Sequence, residues 1–236
     1  MKHEDLLNYK ENSMNTYKAL VTGGSRGIGH SIAEQLKKND IIVHAPSHQE
    51  LDLLSQASIN TYVSSHQNEH YDIIINNAGI NDIHDIEHIT DNEIAHAMQI
   101  NLIAPIMLLR AFVPGMKERQ YGKIVNIGSI WSIVSKRGRT VYSATKHGIH
   151  GITKTLAVEL AEYNICVNTV CPGFTLTELT RKNNSPEQIL QISQEIPMKR
   201  MAVPDEIAHV VSFLVSPQNS YLTGQLIAVD GGYTSK

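Results

Sequence analysis

Residues 18–39, KALVTGGSRGIGHSIAEQLKKN, carry the reading from which the rest of the chain follows. A β-rich run (KALVT, 18–22) leads through a glycine turn into a helical pattern over 28–39. In the turn Thr22-Gly23-Gly24-Ser25-Arg26-Gly27-Ile28-Gly29, Gly23 permits a tight bend and Gly27 lets backbone approach a pyrophosphate. Gly29 allows the helix to lie close on the sheet. The helix start then offers free N–H groups and partial positive charge to a phosphate. The spacing GxxxGxG predicts a dinucleotide-binding strand–turn–helix.

Outward from this unit, short apolar runs alternate with helical patterns. The runs are IIVHA (41–45), ELDLL (50–54), YDIIIN (71–76), KIVNIGS (123–129), ICVNTVCPG (165–173) and QLIAVDGG (225–232). Helices are expected over about 90–119, interrupted at Pro105 and stopped near Pro114-Gly115, and over 141–163 with an apolar stripe at Ile149, Ile152, Leu156 and Leu160. Two more open on Pro186 and Pro204. Alternation of this kind implies an α/β, doubly wound (Rossmann) parallel sheet of about seven strands with helices on both faces. One domain is expected over 18–236, preceded by an N-terminal arm, 1–17, or by residues upstream of a start at Met14. ELDLL follows the second strand after about four residues, too few for a parallel crossover, so that third strand is expected to be short or irregular.

A formal net charge of −3 gives no electrostatic reason to expect nucleic acid or an anionic membrane as partner. No apolar run approaches the roughly 20 residues of a bilayer span, and the polar N-terminus lacks a secretory core. A cytoplasmic protein is expected. Cys166 and Cys171 lie five apart in a strand, about 16 Å from one another and on opposite faces, so they read as buried unpaired thiols. His84 and His88 have helical ligand spacing without any accompanying cluster and read as a solvated face; no metal site is expected.

The chemistry concentrates near the middle of the chain. Tyr142 and Lys146 form a YxxxK pair, which a helix places side by side. A tyrosine near pKa 10 is a poor acid/base at neutrality, and a fixed ammonium beside it favours the phenolate. Ser129 ends the strand KIVNIGS, where open α/β sheets place ligands, and its hydroxyl can donate to a substrate oxygen while Tyr142 transfers the proton.

These motifs together resemble the short-chain dehydrogenase/reductase family, in its compact single-domain branch, from about residue 18 to residue 232. The resemblance implies that Ser129, Tyr142, Lys146 and Asn101 (in QINLIAP) form the active site, with Asn101 holding a water that relays protons to Lys146. It places Asn77-Ala78-Gly79 along the adenosine side of the cofactor. It brings Pro172, Gly173, Thr175 and Thr177 to the nicotinamide carboxamide, followed by a mobile lid over about 176–196. Tyr142 and Lys146 would also touch the cofactor, Lys146 at the nicotinamide ribose.

Cofactor choice is read at the end of the second strand. No acid appears there until Glu50, whereas Arg26 lies in the glycine turn and Ser47 and His48 can donate hydrogen bonds, so NADP(H) is favoured over NAD(H). APSHQELDL resembles a version found in sugar-nucleotide-type reductases that has arginine in place of His48; Asp52 would then contact the adenine amino group.

The C-terminal half is similar to 3-oxoacyl-[acyl-carrier-protein] reductases. Their carrier-docking arginines match Gln120 and Tyr163, neither of them basic, though Arg119 adjoins the first. Lys136, Arg137 and Arg139 stand between Ser129 and Tyr142, where they could bind an anionic group or form a solvated loop, and Trp131 and Phe174 would wall the substrate. The expected activity is hydride transfer between a nicotinamide and a small or carrier-linked carbonyl or secondary alcohol. The alternatives are the carrier-protein reductase proper and a non-catalytic dinucleotide sensor. The family resemblance also implies a homo-oligomer, a tetramer or dimer.

Overall fold

The computed structural model describes residues 16–236; the expectation for an N-terminal arm falls mostly outside them. Tyr17, counted with that arm, already belongs to the domain, since its carbonyl accepts from the Ile42 N–H at 2.9 Å and its ring stacks on Tyr121.

A six-stranded, all-parallel sheet runs in the order β2-β1-β3-β4-β5-β6. Its strands are β1 (Lys18–Val21), β2 (Ile42–His44), β3 (Ile73–Asn76), β4 (Gly122–Ile127), β5 (Ile165–Pro172) and β6 (Leu226–Val229). Every residue of β3, β4 and β5 is buried, as a sheet covered on both faces requires. One face carries α1 (Gly27–Lys38) and α8 (Pro204–Val215), whose Ile32, Leu36, Ile207, Val211 and Leu214 pack with Ile73 and Ile75. The other carries α2 (Gln56–Ser65), α4 (Ala104–Arg119) and α5 (Thr140–Leu160), packed through Ile59, Leu108, Phe112, Met116 and Leu160 onto Leu20 and Ile74. The strand order reverses at β1, between β2 and β3, so a crevice opens beyond the carboxyl ends of β1 and β3.

Six strands rather than seven form because residues 50–54 do not pair. Leu51 and Leu53 are buried in the core below α2, but the Leu53 carbonyl accepts from the Gln99 side chain at 3.1 Å, where a strand partner would otherwise stand. The chain passes directly from β2 through α2 to β3.

The segment predicted to stop at Pro114-Gly115 instead runs on. α3 (Asp91–Met98) continues through a π-turn (Gln99–Ile103) into α4, which ends only at Gln120 in the left-handed conformation (φ 55°). Pro105 directly follows the π-turn, so its missing N–H falls where the regular helical ladder is already interrupted. Pro114 is exposed, and buried Phe112, Val113 and Met116 hold the helix across it. This 29-residue run, Asp91–Arg119, is long and apolar enough to cross a membrane by composition alone. Ala97, Leu108, Leu109, Phe112, Val113 and Met116 of this run are buried, while Ile94 and Ile106 are exposed. Cys166 and Cys171 are both buried and free on β5, as expected.

Candidate active site

The glycine turn is fastened to the NNAG segment that follows β3. The Thr22 hydroxyl accepts from the N–H groups of Asn77 (3.0 Å) and Ala78 (3.1 Å), and the Asn77 amide donates back to the Thr22 and Gly23 carbonyls. Gly23 and Gly27 have φ of 66° and 57°, a region costly to residues with a Cβ. Asn77 thus acts on the turn itself, holding it to the sheet. α1 has no side-chain cap and no acidic residue in its first turn, while α2, α3, α6 (Glu178–Asn183) and α7 (Pro186–Glu195) are capped by Ser55, Thr90, Thr177 and Ser185. An uncapped helix start behind an open glycine turn suits a phosphate. A Cβ on Gly27 would meet only the Thr177 side chain, at 3.5 Å, so Thr177 faces the phosphate turn. The Thr175 hydroxyl is buried and donates to the Gly173 carbonyl, and Pro172 ends β5 buried.

Ser129, Tyr142 and Lys146 converge beyond the end of β4. Ser129 is buried at the start of a 3-10 turn (Ile130–Ser132), its hydroxyl accepting from the Trp131 N–H at 3.2 Å. α5 is locked onto the sheet by a buried polar chain: Asn76 donates to Asn126 (2.8 Å), Asn126 to Thr153 (2.8 Å), and Thr153 meets Thr169 (2.7 Å). The Ser132 hydroxyl also donates to the Lys146 carbonyl at 2.9 Å. Lys146 is buried, donates to the Ile127 carbonyl at 2.7 Å, and lies 5.6 Å from the centre of the Tyr142 ring.

The electrostatics differ from the sequence expectation. Burial raises the Tyr142 phenol above its ordinary value, while the Ser129 hydroxyl and the Arg139 charge pull it down. Burial also draws Lys146 down to about 8. The phenol is therefore held protonated in the ligand-free protein. The ammonium that was expected to shift it lies beneath the ring and donates to the Ile127 carbonyl.

Asn101, in the π-turn, is buried with its amide fully engaged. It accepts from the Ile80 N–H (2.9 Å) and donates to the Ile80 carbonyl (2.9 Å) and Thr145 (3.1 Å). Its side chain clamps the loop after β3 to Thr145 of α5. A Cβ on Gly79 would come within 3.2 Å of Asn101 Oδ1 and 3.6 Å of Lys146 Nζ, which places Gly79 at the foot of the lysine.

Of the residues expected on the adenosine side, Ser25, Arg26, Ser47 and His48 are exposed and Ile28 is half-buried. Arg26 has no carboxylate within 4.0 Å among the described residues. Glu50 folds back to accept from the Ser47 N–H at 2.8 Å, which holds its carboxyl below the usual range. Asp52 accepts from the Leu54 N–H at 2.9 Å and lies 3.7 Å from His48.

Two of the expected substrate residues part company. Arg137, 85% exposed, is ion-paired with Asp85 on the surface, its Nε donating to Oδ1 at 2.7 Å, and is no free anion receptor. Arg139 stays with the site, its guanidinium over the Trp131 ring at 6.0 Å. Trp131 and Phe174 form an edge-to-face cluster with Tyr233, with centroids 5.3–6.3 Å apart. Sequence reasoning missed Tyr233; its position just after Asp230-Gly231-Gly232, at the tip of the last strand, was the available signal. It also missed a cavity beside Tyr142 lined by Asp82, His84, Glu93 and Val141, in which His84 Nε2 lies 3.0 Å from Glu93.

A parallel sheet with an open glycine turn and a Ser–Tyr–Lys cluster across the crevice defines the class of nicotinamide-dependent oxidoreductases. The family model described as enoyl-(acyl carrier protein) reductase matches residues 43–234. The chain belongs to the short-chain dehydrogenase/reductase family and is an NAD(P)-dependent oxidoreductase. It is 34% identical over 234 residues to the 3-oxoacyl-[acyl-carrier-protein] reductase of Vibrio cholerae, covering 91% of this chain and 96% of that one. Among solved structures it resembles ElxO with NADP bound (27% identity, TM-score 0.88, 94% and 100% of the two chains). It also resembles a gluconate 5-dehydrogenase from Burkholderia cenocepacia in complex with NADP and tartrate (25% identity, TM-score 0.85, 94% and 97%).

Proposed function

We propose that this protein reduces a small ketone, or oxidises the matching secondary alcohol, with Tyr142 as the proton donor and acceptor. One observation carries this: a buried serine, a protonated phenol and a buried lysine meet at the carboxyl end of β4, beside a glycine cradle that fits a dinucleotide phosphate. When bound, the nicotinamide supplies or accepts the hydride. The chain's own residues do the rest. Ser129 would hydrogen-bond the substrate oxygen, and Tyr142 would deliver the proton that its raised pKa keeps in place. Lys146 would hold the cofactor ribose and, as a cation, favour the phenolate left after proton transfer. Asn101 positions the loop after β3.

Lysine is charged only below its pKa, and burial brings Lys146 to about 8. The kcat/KM for reduction should therefore be level through neutrality and fall as pH rises through about 8, roughly tenfold per unit where one ionisation limits the rate. A profile flat to pH 10 would exclude a required ammonium.

NADP(H) is the preferred cofactor. Arg26, unpaired among the described residues, and the Ser47–His48 turn favour a 2′-phosphate, and the NADP held by two structural neighbours supports this. The Glu50 carboxylate on the Ser47 N–H acts in the opposite sense. The test is a screen of ketones and secondary alcohols with both cofactors. Arg26→Ala should raise the KM for NADPH by about 10- to 100-fold and leave NADH within about twofold. A wild-type preference for NADH would overturn the assignment.

The carrier-protein role is weaker. Arg119, the cation beside Gln120, turns inward to the Tyr71 carbonyl (2.8 Å) and the Asp72 carboxylate (3.6 Å). A homo-oligomer is supported by family membership and by Val158 on α5, which is 82% exposed.

A further inference from the structure

Arg139 sits one helical turn before Tyr142 with no carboxylate within 4.0 Å among the described residues. Its Nη1 is buried without a hydrogen-bond partner. Native structures seldom leave a buried charged donor unsatisfied, because the lost hydration is not recovered. The guanidinium is held over Trp131, which is itself 5% exposed and braced edge-on by Phe174 and Tyr233. That ring holds one side of the guanidinium, and on this half-buried residue Nε and Nη2 remain a pair of parallel donors that matches a carboxylate. The Ser129 hydroxyl accepts from the Trp131 N–H at 3.2 Å, which ties the ring beneath the cation to the serine. Arg139 is near enough to Tyr142 to lower the pKa of its phenol. Arg137, the other arginine of this loop, is already neutralised by Asp85.

We propose that Arg139 is a specificity-determining residue that binds a carboxylate of the substrate, making the preferred substrate a short oxo acid or its hydroxy acid. The proposal rests on the reading above that a carbonyl reacts between Ser129 and Tyr142. The aromatic cluster of Trp131, Phe174 and Tyr233 bounds the site and restricts the substrate to a short chain. A carrier thioester has no charge at this position and leaves the guanidinium unpaired.

Trp131 is the only tryptophan in the chain, so its emission reports directly on the site. Acetoacetate and 3-hydroxybutyrate, added to the protein with and without NADPH, should change that emission saturably, whereas their methyl esters and hydroxyacetone phosphate should not. In Arg139→Met the saturable change should disappear, and in Arg139→Lys it should return in part. In turnover, the ratio of kcat/KM for acid over ester should fall by about 10- to 100-fold in Arg139→Met, mainly through KM. Melting temperature controls for folding, and Arg139→Lys supplies a second variant. No saturable acid response in the wild type, or the same acid-to-ester ratio in wild type and Arg139→Met, would overturn the proposal. A larger response to hydroxyacetone phosphate would assign the cation to phosphate and overturn it equally. If uncharged ketones and esters turn over without any preference for acids, the carboxylate assignment fails while the oxidoreductase reading stands. If acids bind but no carbonyl compound turns over, the reverse holds.

Discussion

Tyr142→Phe should lose on the order of 10³-fold in kcat while still binding the dinucleotide, the size expected when a positioned general acid is removed. The substitution deletes one hydroxyl from a half-buried ring, so the fold has little reason to change. The donor is lost outright. Ser129 would still hydrogen-bond the substrate oxygen but has no proton to deliver near neutrality, and Lys146 lies beneath the ring, bonded to the Ile127 carbonyl at 2.7 Å. Steady-state rates give kcat, and titration of NADPH fluorescence gives binding. Wild-type turnover in Tyr142→Phe would remove the tyrosine from the mechanism. Loss of cofactor binding alone would assign it a purely structural part.

Gly29→Ala should be the most damaging single methyl in the phosphate turn. A Cβ there would stand 2.2 Å from the Gly23 carbonyl oxygen and 2.3 Å from Asn77 Nδ2. Both atoms belong to the fastening between the turn and the loop after β3, and the carbonyl is backbone, which cannot rotate aside. Overpacking of this kind costs about 1–3 kcal/mol or more, and the displaced turn would also lose its phosphate cradle. Gly151→Ala is the control. Gly151 lies inside α5 with open space around its Cβ position, so alanine there should stabilise by about 0.5–1 kcal/mol. Thermal melts with and without NADPH separate the two variants. An unchanged melt and unchanged NADPH shift for Gly29→Ala would mean the turn is looser than its geometry shows.

What could be read from sequence was what local chemistry dictates. Three glycines after an apolar strand, a tyrosine four residues before a lysine, and a serine at a strand end each have a narrow set of physical uses. The doubly wound sheet follows from alternation alone. What escaped reading depended on tertiary partners. Residues 50–54 have a strand-like composition, yet the Gln99 side chain takes the Leu53 carbonyl and the strand never pairs. Pro114 looks like a helix stop, yet buried residues around it carry α4 to Arg119. Arg137 and Arg139 are equivalent on paper; only the position of Asp85 separates a neutralised surface arginine from an unpaired one. The tyrosine's electrostatics also ran opposite to the pairwise expectation. Desolvation outweighs the Ser129 hydrogen bond and the Arg139 charge, while the lysine is bonded to the Ile127 carbonyl.

The most direct measurement is of isotope transfer from nicotinamide to product. With NADPH carrying deuterium at the transferable C4 position and a ketone identified in the screen, wild-type product should carry that deuterium on the former carbonyl carbon. The label should be retained in heavy or light water alike, and Tyr142→Phe should form almost none of this product. Product lacking the nicotinamide's deuterium, or labelled instead from solvent at that carbon, would contradict hydride transfer in the crevice between the glycine turn and Tyr142.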